Sequence, residues 1–151
     1  MKIEYHRTNA ENPEFRKLVA LLDAGLAVTD GEDHSFYDQF NKLDGIKFVI
    51  LAKLDDVAVG CGAIKMFDEK RMEVKRMFVH PLHRGKGIAK GILGELEKWA
   101  AELGFGGCVL ETGKRQTEAI ALYFGSGYAV IPNYGQYIGM DNSVCFEKIL
   151  S

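Results

Sequence analysis

The residues from Met77 to Ala89 have the types and spacing that could do chemistry: Met77-Phe78-Val79-His80-Pro81-Leu82-His83-Arg84-Gly85-Lys86-Gly87-Ile88-Ala89. They read as a strand, a sharp turn, a glycine-rich loop and the first turn of a helix. Such a loop leaves backbone N–H groups free at the helix start, where the helix dipole is positive. Those two features make a site for a phosphate or pyrophosphate. Arg84 and Lys86 bring positive charge to the same place, and Gly85 and Gly87, lacking Cβ, let a ligand approach the backbone. A nucleotide P-loop would need G-x-x-x-x-G-K-[ST], which no segment has. A dinucleotide fingerprint needs a third glycine where Lys90 stands, and Pro81 and its neighbours separate Gly85 from the strand. The ordinary alternative is a basic turn that caps a helix.

The elements that must position this loop fit a single domain over residues 1–151, and 47% hydrophobic residues can bury a core. A formal net charge of -2 argues against nucleic acid or an anionic membrane as a partner. The chain has neither a long apolar run nor a signal-peptide pattern, so a cytoplasmic protein is expected. Cys61, Cys108 and Cys145 are widely spaced in apolar strands and read as buried, reduced thiols. No close cysteine pair or histidine pair suggests a metal, and none is expected. His80 and His83 read as hydrogen-bonding loop residues; His6 and His34 carry no supporting pattern.

Ile3 to Arg7 alternates as a first strand. Asn12-Pro13 opens a helix whose buried face is Phe15, Leu18, Val19, Leu22 and Leu26, with Gly25 weakening its end. An acidic loop follows Asp30, with a short second helix over 35–40. Strands are expected from Lys47 to Leu54, Val57 to Phe67 and Met72 to Val79, the first two joined at Asp55-Asp56. Gly60 and Gly62 suggest close approach by another backbone or a ligand. A helix from Gly87 to Leu103 carries the stripe Ile88, Ile92, Leu96, Trp99 and Leu103. Then come a strand from Cys108 to Thr112, a helix from Gln116 to Phe124, and strands from Tyr128 to Ile131 and Ser143 to Ile149. The fold class is α+β: a mixed, mostly antiparallel twisted sheet with helices on both faces.

Arg84-x-x-Gly87-x-Ala89, after a strand ending in Val-His-Pro, resembles the acetyl-coenzyme A signature of the GNAT N-acetyltransferase superfamily. A second segment, Gln116-x-x-Ala119-x-x-Leu122-Tyr123-x-x-x-Gly127-Tyr128, is similar to another motif of that family, with Gln116 where Asn is usual. The order of elements matches over nearly the whole chain. The tail through Tyr134, Tyr137 and Ser143 to Lys148 resembles small bacterial members, some named for indole-acetic-acid-type substrates. The resemblance implies the GNAT fold, with six to seven strands and about four helices. It implies an enzyme that passes an acetyl group directly from acetyl-coenzyme A to a primary amine of a small molecule or peptide, and it allows a homodimer.

It also implies roles for particular residues. Met77, Phe78 and Val79 would offer backbone groups to the cofactor, the Val79 amide bonding the thioester carbonyl. Arg84, Gly85, Lys86, Gly87, Ile88 and Ala89 would bind the pyrophosphate, mainly through backbone N–H groups. The Gln116 amide would bond the pantetheine arm. Tyr123 would protonate the leaving thiolate; its ordinary reading is a core tyrosine beside Ile120 and Phe124. Glu73 would take the amine proton; its ordinary reading is an exposed charge in a cluster with Lys75 and Arg76. The aromatic loop at Tyr134 and Tyr137, with the first helices, would line the acceptor pocket. The rival function is a non-catalytic acyl-coenzyme A-binding regulatory module, which needs the glycine loop but neither Tyr123 nor Glu73.

Overall fold

The computed structural model describes residues 2–31 and 46–150. The helix expected over 35–40, the acidic positions 32–38 and His34 lie outside the described residues. Among those described, seven strands form one sheet in the order β1-β2-β3-β4-β5-β7-β6, with three α-helices. No helix among them is long and apolar enough to cross a membrane.

β1 (Ile3–Thr8) is the sheet edge and leads into α1 (Pro13–Asp30). Asn12 caps α1, its Oδ1 accepting from the N–H groups of Glu14 and Phe15 at 2.8 and 3.1 Å, with Pro13 in the first turn. The helix continues through Gly25, expected to weaken its end, and runs to Asp30, ending at Gly31, φ +57°. Gly25 sits on the exposed side, where a Cβ would meet nothing within 4 Å, so its cost is propensity alone, about 1 kcal/mol.

β2 (Phe48–Leu54) and β3 (Val57–Met66) form the expected hairpin, and Asp55 and Asp56 both have positive φ, as a tight two-residue turn requires. β3 pairs antiparallel with β4 (Arg71–Val79). α2 (Ile88–Glu102) then crosses over the sheet to β5 (Gly107–Gly113), which pairs with β4 in parallel. α3 (Thr117–Gly125) precedes β6 (Ala129–Ile131), and β7 (Ser143–Ile149) inserts between β5 and β6.

The sheet buries both faces. Phe15, Leu18 and Val19 of α1 pack on Val49, Leu51, Cys61, Ala63 and Phe78. On the other face Ile88, Ile92, Leu93, Leu96 and Ala100 of α2 pack on Ile50, Ile64, Met72 and Val74. The expected stripe is right except at its end, where Leu103 caps the helix and is 41% exposed. Gly60 and Gly62 make room not for a ligand but for α2 and β4: a Cβ on Gly62 would meet Met77 Sδ at 2.5 Å, Ile92 at 2.8 Å and Leu96 at 2.9 Å. Cys61, Cys108 and Cys145 are free and buried.

Candidate active site

The site begins with an irregularity in β4. Cys61 pairs with Phe78 and Ala63 with Lys75, so Gly62 faces two residues, Arg76 and Met77. This is a β-bulge, and Arg76 accommodates it at φ +57°. The bulge bends β4 away from its neighbour. β4 pairs with β5 only through Arg71, Met72 and Glu73, opposite Gly107, Cys108 and Val109. Beyond that point the two strands part, and the gap between them is where the motifs converge.

The backbone at Val79 faces this gap. His80 N–H donates to the Val59 carbonyl at 2.8 Å, so the adjacent pair, Gly60 and Val79, exchanges no ladder bonds. The N–H and C=O of Val79 therefore turn away from β3, toward the side β5 has left. Arg84 takes the carbonyl: its Nε donates to Val79 O at 2.9 Å, and its guanidinium lies 5.7 Å from the centre of the Phe78 ring. The Arg84 side chain is thus a brace between loop and strand rather than an outstretched cation.

The glycine loop closes this end of the gap. His80 Nδ1 accepts from Leu82 N–H at 3.2 Å and caps a single turn over Pro81–His83. Gly85 and Gly87 have φ of +80° and +79°, and a Cβ at either would meet nothing within 4 Å. α2 starts at Gly87 with no side chain capping its first N–H groups. Ile88 is fully buried, so only its backbone faces the loop, while Lys86 and Lys90 are exposed. Met77, Phe78, Val79, Arg84, Gly85, Gly87, Ile88, Ala89, Gln116 and Tyr123 all border one cleft of about 340 Å³. Lys86 is the exception among the expected cofactor residues.

A smaller cleft of about 130 Å³ adjoins it, bordered by Glu73 to Met77 of β4, Glu111 to Gly113 at the end of β5, Leu22 and Leu26 of α1, and Tyr137. Leu22, Met77, Gln116, Ala119 and Tyr123 border both clefts. Tyr123 is buried, with its ring tilted against Phe146 and edge-on to Tyr128, and burial pushes its phenol well above the usual range. The expected neighbour Phe124 is instead half exposed and stacks edge-on to Phe146.

Glu73 is not a solvated strand charge. Its side chain is 12% exposed, Oε1 lies 3.6 Å from Lys75 Nζ, and Oε2 accepts from the Tyr134 hydroxyl at 2.6 Å. Burial, and then the Glu73 charge, raise the Tyr134 phenol, so it stays protonated and remains the donor. Tyr134 is held edge-on by Phe67 and Tyr137, and Asn133 Nδ2 ties the loop through the carbonyls of Tyr137 and Met140, each at 3.1 Å. Burial, then the Glu111 and Glu73 charges, raise the Tyr137 phenol as well.

Three residues at the site escape a reading of the sequence as motifs. Arg76 looks like one more strand charge; the signal is two adjacent cations, Lys75 and Arg76, where alternation allows one. Glu111 ends the apolar run Cys108 to Leu110, and its Oε2 accepts from Ser143 Oγ at 2.8 Å. Leu22 reads as core until α1 is seen to lie along both clefts.

A splayed parallel strand pair, an uncapped helix start facing the gap and an adjoining polar cleft meet at this end of the sheet. The chain belongs to the acetyltransferase (GNAT) family, which matches residues 11–128. It is 40% identical over 106 residues to an IAA acetyltransferase of Azospirillum brasilense, covering 70% of this chain and 69% of that one. A Klebsiella pneumoniae structure, described provisionally as an acyl-CoA N-acyltransferase, superposes with a TM-score of 0.83 at 30% identity, covering 99% of this chain and 98% of that one. A GNAT family acetyltransferase of Elizabethkingia anophelis, solved with acetyl-CoA bound, shares the fold at a TM-score of 0.72 and 20% identity, covering 98% of each chain.

Proposed function

We propose that this protein transfers an acetyl group from acetyl-coenzyme A directly to a primary amine. The observation that carries the reading is the junction of the two clefts at Met77, Gln116 and Tyr123, which lets a donor and an acceptor meet from opposite sides. The larger cleft suits the donor. It ends at the uncapped start of α2 and at glycines whose left-handed backbone leaves open space, as a pyrophosphate needs. Acetyl-coenzyme A, when bound, supplies an activated thioester carbonyl.

The chain's own groups do the rest. The backbone N–H groups of Gly87, Ile88 and Ala89 hold phosphate oxygens. The Gln116 amide bonds the pantetheine arm. The Val79 N–H donates to the carbonyl oxygen as charge gathers there. Glu73 accepts the proton that the amine loses, and Tyr123 donates the proton that the departing sulfur needs, so protons balance as a C–N bond replaces the C–S bond. A binding module would need the donor cleft alone; the acceptor cleft beside Tyr123 favours the enzyme.

The test is calorimetry with acetyl-coenzyme A, followed by a coenzyme A release assay over a panel of amines. The expected result is binding and amine-dependent release. Binding without release from any amine returns the protein to the regulatory reading.

A further inference from the structure

Resting on that reading, we propose that the acceptor is a zwitterion, an amino-acid-type amine whose carboxylate is held by Arg76. The bulge lies at this site. In a regular strand Lys75 and Arg76 would point to opposite faces; the bulge falls at Arg76, and both residues border the small cleft. Arg76 reaches α1, where its Nη2 donates to Asp23 Oδ1.

Arg76 is unusual in this chain. The residue is 6% exposed and its side chain 2%. Among the described residues its acidic partner is Asp23, whose side chain is 41% exposed. Its Nε is buried and has no hydrogen-bond partner. A guanidinium offers five donors in a planar fork that fits a carboxylate. A buried fork with an unused donor, bordering an acceptor cleft, is a place for an anionic group of the acceptor.

The charges around the cleft point the same way. Glu73 and Glu111 supply two carboxylates, Lys75 and Arg76 two cations. Lys75 lies 3.6 Å from Glu73. A zwitterion matches both signs, its ammonium toward Glu73 and its carboxylate toward Arg76. The cleft's volume is about 130 Å³.

The experiment uses the full chain with saturating acetyl-coenzyme A. Coenzyme A release is measured for the twenty amino acids, then for the carboxamide and the decarboxylated amine of the best of them. The expected kcat/KM is at least about tenfold higher for the amino acid than for either analogue, with the difference mostly in KM. Arg76→Lys keeps the charge and loses the fork, so it should raise KM for the amino acid about tenfold and leave that of the decarboxylated amine unchanged. If this variant does not fold, the series on the native chain still decides. A decarboxylated amine used as well as, or better than, its amino acid overturns the zwitterion and keeps the acetyltransferase. Release from other primary amines but from no amino acid overturns the zwitterion alone; no release from any amino acid or amine overturns both.

Discussion

The Tyr134 hydroxyl and Glu73 Oε2, 61 positions apart in sequence, are joined by a 2.6 Å hydrogen bond beside the smaller cleft. A bond this short between a phenol and a carboxylate is charge-assisted, and it leaves Oε1 as the oxygen nearer Lys75. It separates the two roles of Glu73. Glu73→Gln keeps an acceptor for Tyr134 and removes the proton sink. Its melting temperature should change little while kcat/KM falls by about 10²–10⁴-fold, recovering at high pH, where more amine is already neutral. Tyr134→Phe should instead cost about 1.5–3 kcal/mol of stability, read from denaturant unfolding. An unaltered pH–rate profile for Glu73→Gln would remove Glu73 from the chemistry.

Tyr123→Phe keeps the ring that packs on Phe146 and removes the hydroxyl at the junction of the clefts. Burial holds this phenol protonated, as a proton donor must be. kcat should fall by about ten- to a thousandfold, with acetyl-coenzyme A affinity unchanged by calorimetry. A variant within about twofold of the native rate would make Tyr123 a core residue only.

Gly87→Glu places bulk and negative charge in front of the bare start of α2. The left-handed backbone there costs a non-glycine residue about 1–2 kcal/mol, but a Cβ meets no atom within 4 Å, so the fold should persist. Acetyl-coenzyme A binding should be lost by calorimetry. Gly104→Ala is the control: it has φ +93°, equally open surroundings and a place at the far end of α2. It should be destabilised to a similar degree and bind normally. Normal binding by Gly87→Glu would contradict the donor site.

Burial pushes the Cys61 thiol up to about 12, and those of Cys108 and Cys145 up to about 11. Native protein should therefore react slowly with iodoacetamide at pH 8, and all three thiols should react quickly in denaturant. The sign of the pH effect follows. Unfolded thiols ionise near pH 8.5, folded ones only at pH 11–12, so their stabilisation is complete below about pH 8.5 and is lost as pH rises toward the folded values. The raised phenols of Tyr123 and Tyr134 act in the same direction. The urea midpoint should fall steadily between about pH 9 and 11; a flat midpoint would contradict the burial effect.

Local patterns in the chain were sufficient for the elements and for the donor loop. Asn12-Pro13, Asp55-Asp56 and the spacing of Ile88, Ile92 and Leu96 each act through neighbours within a few residues, so periodicity and turn chemistry reveal them. The glycine loop is legible for the same reason: its two left-handed residues and the helix start it feeds are contiguous. Only the tertiary structure decided what borders the smaller cleft. The bulge at Arg76 depends on the register between β3 and β4, and no glycine or asparagine on β4 marks it. The second half of α1 lies along the site, which brings Leu22 and Leu26 to the clefts and Asp23 to Arg76. Glu73 meets Tyr134 only because β4 and the loop after β6 converge where β5 and β4 part. Most residues bordering the larger cleft lie between Met77 and Lys90, whereas the described residues bordering the smaller one come from α1, β4, the end of β5, α3 and Tyr137 and become neighbours only when the chain folds.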